Sequence, residues 1–206
     1  MALLHDATLV PSKLDLLTAW LPGRSWFTGD AELQRMGAYR FDDPAGEVGV
    51  ETFLVRAGGE PVFQVPLTYR SAALAGKDDL LLGTSEHSVL GTRWVYDGCA
   101  DPVWAAALAT AILTGGTQAE EFLNRNGRLE SRAPSATVRG SGASGTVVPD
   151  IVAVTCVDQG ATTVVRAETI ELIVARVVGA AVQAAQTLTG SWAGSESAIL
   201  AGVRLT

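Results

Sequence analysis

The run Gly140-x-Gly142-x-x-Gly145-x-Val147 has the spacing of a loop whose backbone amides cover nucleotide phosphates. Such a loop works with a lysine on a following strand, and the two lysines of this chain, Lys13 and Lys77, both precede it. A Gly/Ser-containing stretch of this kind is ordinarily a flexible linker, which is the reading adopted for it. Glu86, Asp97, Asp101 and the pair Asp78-Asp79 could supply carboxylates for glycoside hydrolysis, a reaction that needs two of them facing across a cleft. Asp101 stands directly before Pro102 and reads as a helix cap, and the others fall at strand ends and turns, where solvated carboxylates are common. His87 could carry a proton or bind a metal, but no second His or Cys lies near it, so a hydrogen-bonded structural role is expected. Cys99, Cys156 and His5 make neither a CxxC pair nor a metal-ligand cluster, and the two thiols are expected to be free and mostly buried. No catalytic residue, metal site or cofactor is assigned.

Five tryptophans could form a stacking platform for sugar. Trp20 and Trp104 fit helix faces that pack in a core. Trp26 and Trp192 sit beside glycine-containing turns and, with His87 and Arg93, are the candidate contacts for a ligand or partner. The 206 residues carry 15 basic and 22 acidic side chains for a net charge of −7, which provides no electrostatic footprint for nucleic acid or for an anionic membrane. With 48% hydrophobic residues the chain can bury a real core. The N-terminus has no basic segment followed by a sustained apolar run, and the apolar stretch near Val103–Leu113 is too short to span a bilayer, so a cytoplasmic protein is expected.

These residues need elements to hold them. Ser12 and Asp15 form a capping-box pattern for a helix over 13–21 that ends at Pro22-Gly23. Extended runs follow at 33–42, 47–57 and 61–70, separated by turn-forming Asp-Asp-Pro-Ala-Gly and Ala-Gly-Gly-Glu-Pro. Phe63, Val65, Leu67 and Tyr69 alternate, predicting a strand with one buried face, and Pro66 predicts an edge strand or a bulge. A fourth strand over 87–96 leads into a buried helix over 102–114 with Asp101 as N-cap, Pro102 in the first turn and Gly115-Gly116 as stop. The polar stretch 117–147 reads as a joint. Val-, Ile- and Thr-rich runs at 150–157, 162–167, 170–178, 184–192 and 198–205 predict a mostly β second half.

Arg93-Trp94-Val95-Tyr96-Asp97, running into the helix opened by Asp101 and Pro102, resembles the N-terminal cap domain of maltokinases and related actinobacterial sugar kinases. Leu21-Pro22-Gly23-Arg24-Ser25-Trp26-Phe27 stands where those kinases carry a similar Leu-Pro-x-x-Arg-Trp-Phe/Tyr run. The resemblance implies an α+β fold: a helix packed on an antiparallel meander, like a cystatin, followed by a mostly β subdomain similar to a degenerate kinase N-lobe. The expected division is a cap subdomain at 1–125, a connector at 126–149 and the β-rich part at 150–206.

The same resemblance makes Asp158-Gln159-Gly160-Ala161-Thr162-Thr163-Val164-Val165 a worn phosphate loop, with Gln159, Thr162 and Thr163 as its remnants. It places the nucleotide lysine at Ile173. The run 198–205 falls where the family's hinge enters the catalytic lobe, and no His-x-Asp loop with a downstream Asn occurs. A noncatalytic interaction or regulatory module is therefore expected. The alternatives are a sugar or nucleotide binder, or an accessory subunit of trehalose- or maltose-to-glucan metabolism. An uncovered hinge strand at 198–205 predicts self-association or a protein partner; a sugar or glucan is the possible ligand.

Overall fold

The computed structural model describes residues 2–5, 7–29, 32–125 and 128–206; the side chain of His5 lies outside what it describes. In chain order the strands and helices are β1 (Ala2–His5), β2 (Leu9–Val10), α1 (Lys13–Trp20), β3 (Leu33–Phe41), β4 (Gly49–Ala57), β5 (Val62–Arg70), β6 (Leu81–His87), β7 (Gly91–Asp97) and α2 (Pro102–Thr114). The second half adds β8 (Glu121–Arg125), β9 (Arg128–Arg132), β10 (Ala136–Gly140), β11 (Thr155–Gln159), β12 (Thr162–Arg166), β13 (Ile170–Ala175), β14 (Gln186–Trp192) and β15 (Ala198–Leu205). They form an antiparallel sheet ordered β2-β6-β7-β5-β4-β3 and a second ordered β10-β14-β15-β13-β12-β11. A small sheet, β1-β8-β9, has β1 parallel to β8. The fold is α+β, with few helices packed on antiparallel sheets.

α1 begins where its cap chemistry requires. The Ser12 hydroxyl accepts from the Asp15 amide at 3.2 Å, and the Asp15 carboxylate accepts from the Ser12 amide at 2.9 Å. Leu16, Leu17 and Trp20 bury its inner face against Phe53, Val55, Phe63, Val65 and Leu67. α2 is capped by Asp101, whose carboxylate takes the Val103 amide at 2.9 Å, and it stops at Gly115 in the left-handed conformation, φ 71°. Its Trp104, Leu108 and Ile112 join one core with Tyr39, Val50 and Leu54 of the first sheet and Leu172, Leu188 and Leu200 of the second.

β5 departs from the expected one-sided strand. Phe63, Val65 and Leu67 face α1, but Gln64 and Thr68 on the opposite face are also sealed, because the second half of the chain packs there. Nor is β5 an edge. Its Leu67–Arg70 end pairs with β7, and its other end meets the segment after β13, where Gln64 N donates to Arg176 O at 2.8 Å and Val178 N to Val62 O at 2.8 Å. Pro66 falls in the gap between these two partners, so its missing N–H interrupts no pairing on that side. The single strand expected at 87–96 is a hairpin of β6 and β7. The register shift at Leu81/Gly83, with Gly83 at φ 148°, breaks the alternation that would have revealed β6.

The stretch expected to be a joint is built into the fold. Described parts of 126–149 include β9 and β10, and β10 pairs with β14 as an outer strand of the second sheet. The glycine-rich run does present its amides, but to a helix terminus: Gly142 N donates to Ile112 O at 2.9 Å and Ala143 N to Leu113 O at 3.1 Å. These are carbonyls that α2 leaves unpaired at its C-terminus. The contact is so close that a Cβ on Gly140 would lie 1.9 Å from Ala111 O, and one on Gly142 1.9 Å from Leu113 O.

The strand at 198–205 also differs from expectation. β15 pairs with β13 on one side and β14 on the other, and Leu200, Ala201 and Val203 are buried in the core, so this strand offers no open edge. No described helix is long and apolar enough to cross a membrane.

Replacing Gly140 or Gly142 by alanine is expected to lower stability by about 3 kcal/mol or more, since backbone and not a side-chain tip must yield. Gly59→Ala, where a Cβ meets nothing within 4 Å, should change it by less than about 0.5 kcal/mol. Urea unfolding of the three variants compares them.

Candidate functional site

The densest chemistry lies where the two large sheets meet. β7 ends at Asp97, whose carboxylate receives the Cys99 amide at 3.1 Å and the guanidinium of Arg176 from just beyond β13. Arg176 is 1% exposed and Asp97 2%. Arg176 Nε donates to Thr163 Oγ1 at 2.7 Å, and Thr163 Oγ1 in turn donates to Asp158 at 2.6 Å. The guanidinium lies over the Trp26 ring at 4.9 Å. Burial opposes the Arg176 charge, yet Asp97 beside it holds its pKa above the ordinary arginine value.

Next to this pair, the Gln64 side chain accepts from Tyr39 OH at 3.0 Å and donates to Ala175 O at 3.0 Å and Leu200 O at 2.8 Å. One buried amide thus satisfies groups on three strands. Burial raises the Cys99 thiol pKa well above its usual value and that of Cys156 to about 11, so neither is poised as a nucleophile. Both thiols are free, Cys99 buried and Cys156 partly so.

A second charged cluster joins α1 to the first sheet. Glu51 receives Lys13 Nζ at 2.6 Å, Tyr69 OH at 2.9 Å and Arg40 Nη2 at 2.8 Å. Burial would raise the Glu51 pKa, but Arg40 and Lys13 beside it bring it down to about 2. Lys13 also sits 4.7 Å from the centre of the Tyr69 ring. Arg70 grips Asp101 with two bonds, at 2.6 and 2.7 Å, and so ties β5 to the start of α2. These carboxylates are each held by cations of the fold and do not face one another across a cleft.

The candidate contact residues are spread apart. Trp26 is 4% exposed, packed between Trp20 and Phe63, and Trp192 is 9% exposed in the core under α2, so neither forms an open platform. Their glycine neighbours lie in turns, but the rings point inward. His87 closes the β6–β7 turn, its Nδ1 accepting from the Val89 and Leu90 amides at 3.2 Å each. Arg93 donates to the Leu90 carbonyl of the same turn. Gln159 and Thr162 flank the tight β11–β12 turn, where Thr162 Oγ1 donates to Gln159 O at 3.1 Å, and Thr163 belongs to the buried Arg176 network.

Ile173 lies on β13 and is 5% exposed. It sits opposite Gly202 of β15, and a Cβ on Gly202 would meet Ala184 at 2.5 Å and Val182 at 2.8 Å. The segment between β13 and β14 therefore lies across the face that Ile173 and Gly202 share. Arg176 and Gln64 had no motif to mark them, and although Asp97 stood out as a carboxylate, nothing in the sequence paired it with Arg176, 79 residues away, or Gln64 with the carbonyls of Ala175 and Leu200, 111 and 136 residues away. A shallow groove of about 260 Å³ lies over β10 and β14, lined by Thr117, Gln118, Thr137, Arg139, Ser191 and Ser197 among others.

Residues 20–101 match the maltokinase N-terminal cap domain. The match starts at the last residue of α1 and ends at the Asp101 cap of α2, so it spans β3 through β7 and stops where the second half begins. No curated protein matches the chain.

Two outcomes are expected from these clusters. Arg176→Met, which leaves Asp97 buried without its cation, should cost about 3 to 5 kcal/mol, while Arg176→Met with Asp97→Asn should cost less than the sum of the singles in a double-mutant cycle by chemical unfolding. The Glu51 pKa is depressed on folding, so its contribution is complete above the unfolded value near 4.5 and disappears as pH falls toward 2. Stability measured between pH 6 and pH 2 should show a loss of about 3 kcal/mol that is missing in Glu51→Gln.

Proposed function

We propose that this chain, with its match to the maltokinase N-terminal cap domain over residues 20–101, is a noncatalytic interaction or regulatory module linked to sugar or glucan metabolism. The matched family is a cap domain and not a catalytic one. The observation that carries the reading is Ile173. At the position where the family resemblance, beyond the matched residues, places the nucleotide lysine, an apolar side chain is packed on β13, on a face crossed by the chain itself. The neighbouring turn supports it, because the Thr162 and Thr163 hydroxyls are committed to Gln159 and Asp158. The same module could serve as an accessory subunit in trehalose- or maltose-to-glucan conversion, to which the family resemblance alone points.

One observation favours a second reading, a sugar-binding protein. The groove over β10 and β14 is lined by the Ser197 hydroxyl, the Gln118 NH2, whose carbonyl oxygen accepts from the Val138 amide, and the mutually bonded Thr137 and Ser191 hydroxyls, which keep further lone pairs for a polyol. Thermal unfolding with maltose, trehalose and soluble glucans tests it, since a ligand of the folded form raises Tm.

For the leading reading, purified protein with radiolabelled ATP and maltose, glucose or glucosamine should transfer no phosphate. Turnover that survives repurification and is abolished by mutating this chain would refute it. Ile173→Lys should destabilise the fold by about 2 to 5 kcal/mol without creating affinity for Mg·ATP in calorimetric titration. Micromolar binding by the wild type, or a stable variant that gains binding, would overturn the account.

A further inference from the structure

The far edge of the second sheet is open. β11 pairs with β12 on one side, and no described strand pairs with the other. The hairpin closes with Gln159 opposite Thr162, so Gln159, Val157 and Thr155 direct their N–H and C=O groups toward β12. By the alternation of an antiparallel ladder, those of Asp158 and Cys156 point outward, as do those of Val154 along the same line.

The middle of this short edge carries no charge, and its two ends are marked by Lys77 and Asp158. Ile151-Val152-Ala153-Val154-Thr155-Cys156-Val157 contains no charge, proline or glycine and is rich in residues that favour strands. Val157 is 50% exposed, whereas Val154, just before the strand, is 6% exposed and packs in the core. The nearest cation comes from the side: Lys77 Nζ donates to Val154 O at 2.9 Å. At the other end stands Asp158. The edge is thus positive at Val154 and negative at Asp158, and an antiparallel copy of itself is its electrostatic complement.

We propose that β11 is a self-association edge, on which two copies of this chain pair antiparallel about a two-fold axis at Cys156 and join their second sheets into one. In that register Cys156 faces its own copy with its backbone groups directed outward, so that pair can exchange two hydrogen bonds, while at each end the Asp158 N–H approaches the Val154 carbonyl of the other molecule, which already accepts from Lys77. Lys77 meets the Asp158 of the other molecule twice by symmetry, which offsets the mutual repulsion of two chains of net charge −7. Thr155 and Val157 face each other across the non-hydrogen-bonded positions, covering the exposed Val157. The dimer would supply a partner for the interaction module proposed above and rests on that reading only to this extent: loss of dimerisation leaves the phosphate-transfer result unchanged, and the converse holds.

Sedimentation equilibrium of the full chain over a wide concentration range tests this. A reversible monomer–dimer equilibrium is expected, and Val157→Lys or Lys77→Glu should each weaken it about tenfold or more while circular dichroism confirms that both variants remain folded. In a Cys156→Ser background, Thr155→Cys with Val157→Cys should give a disulfide-linked dimer by exchange with oxidised glutathione, and either cysteine alone should not. A chain that stays monomeric at the highest concentration would overturn the proposal, as would a dimer that is indifferent to Val157→Lys and fails to cross-link in the paired variant.

Discussion

Two antiparallel sheets with uncharged inner faces could slide or splay against one another, because apolar contact has no direction. Here the junction is keyed by polar groups that tolerate one arrangement. Asp97 and Arg176 are both cut off from water, and each is stable there only while the other lies against it. Gln64 adds a directional constraint, since its amide serves Tyr39, Ala175 and Leu200 at once. Moving either sheet by a fraction of a strand spacing would strand a charge and an amide in the core. β5 shows the same constraint in its backbone, pairing with β7 at one end and with the segment after β13 at the other.

Once the sheets are keyed, α2 has a fixed slot between them, and its ends are finished by residues from distant parts of the chain. Arg70 secures the Asp101 cap, and the run from Gly140 to Ala143 covers the last carbonyls. A sequence spaced like a phosphate cradle thus has its amides committed to a helix terminus. The same backbone chemistry, several N–H groups converging on oxygen, serves either purpose, and the nearest acceptor decides between them.

Local signals were legible wherever neighbours in sequence satisfy one another. Ser12 with Asp15, and Asp101 with Pro102 and Gly115, marked both helices to within about a residue, because capping groups lie within a turn of what they cap. The Val- and Thr-rich runs at 162–167, 170–178, 184–192 and 198–205 became β12 through β15 for a similar reason, branched side chains suiting a pleated strand whichever partner it finds, whereas the run at 150–157 meets β11 only at its last three residues. Legibility ended at β6, where a bulge disturbs the alternation, and at 117–147, where polar residues that read as a joint form the strands β8, β9 and β10 and a helix cover.

By itself the sequence determined the helices and their caps, the strand content, the resemblance of its first half to a maltokinase cap and the apolar character of position 173, all of which depend on residue type and short spacing. Only the tertiary structure decided which faces are sealed. Trp26 and Trp192 turn inward, β5 is covered on both sides, β15 lies inside its sheet and β11 is left at the rim. Burial of this kind is set by contacts between residues that are far apart in the chain, and Asp97 has no feature in its own neighbourhood that marks Arg176, 79 positions away, as its partner.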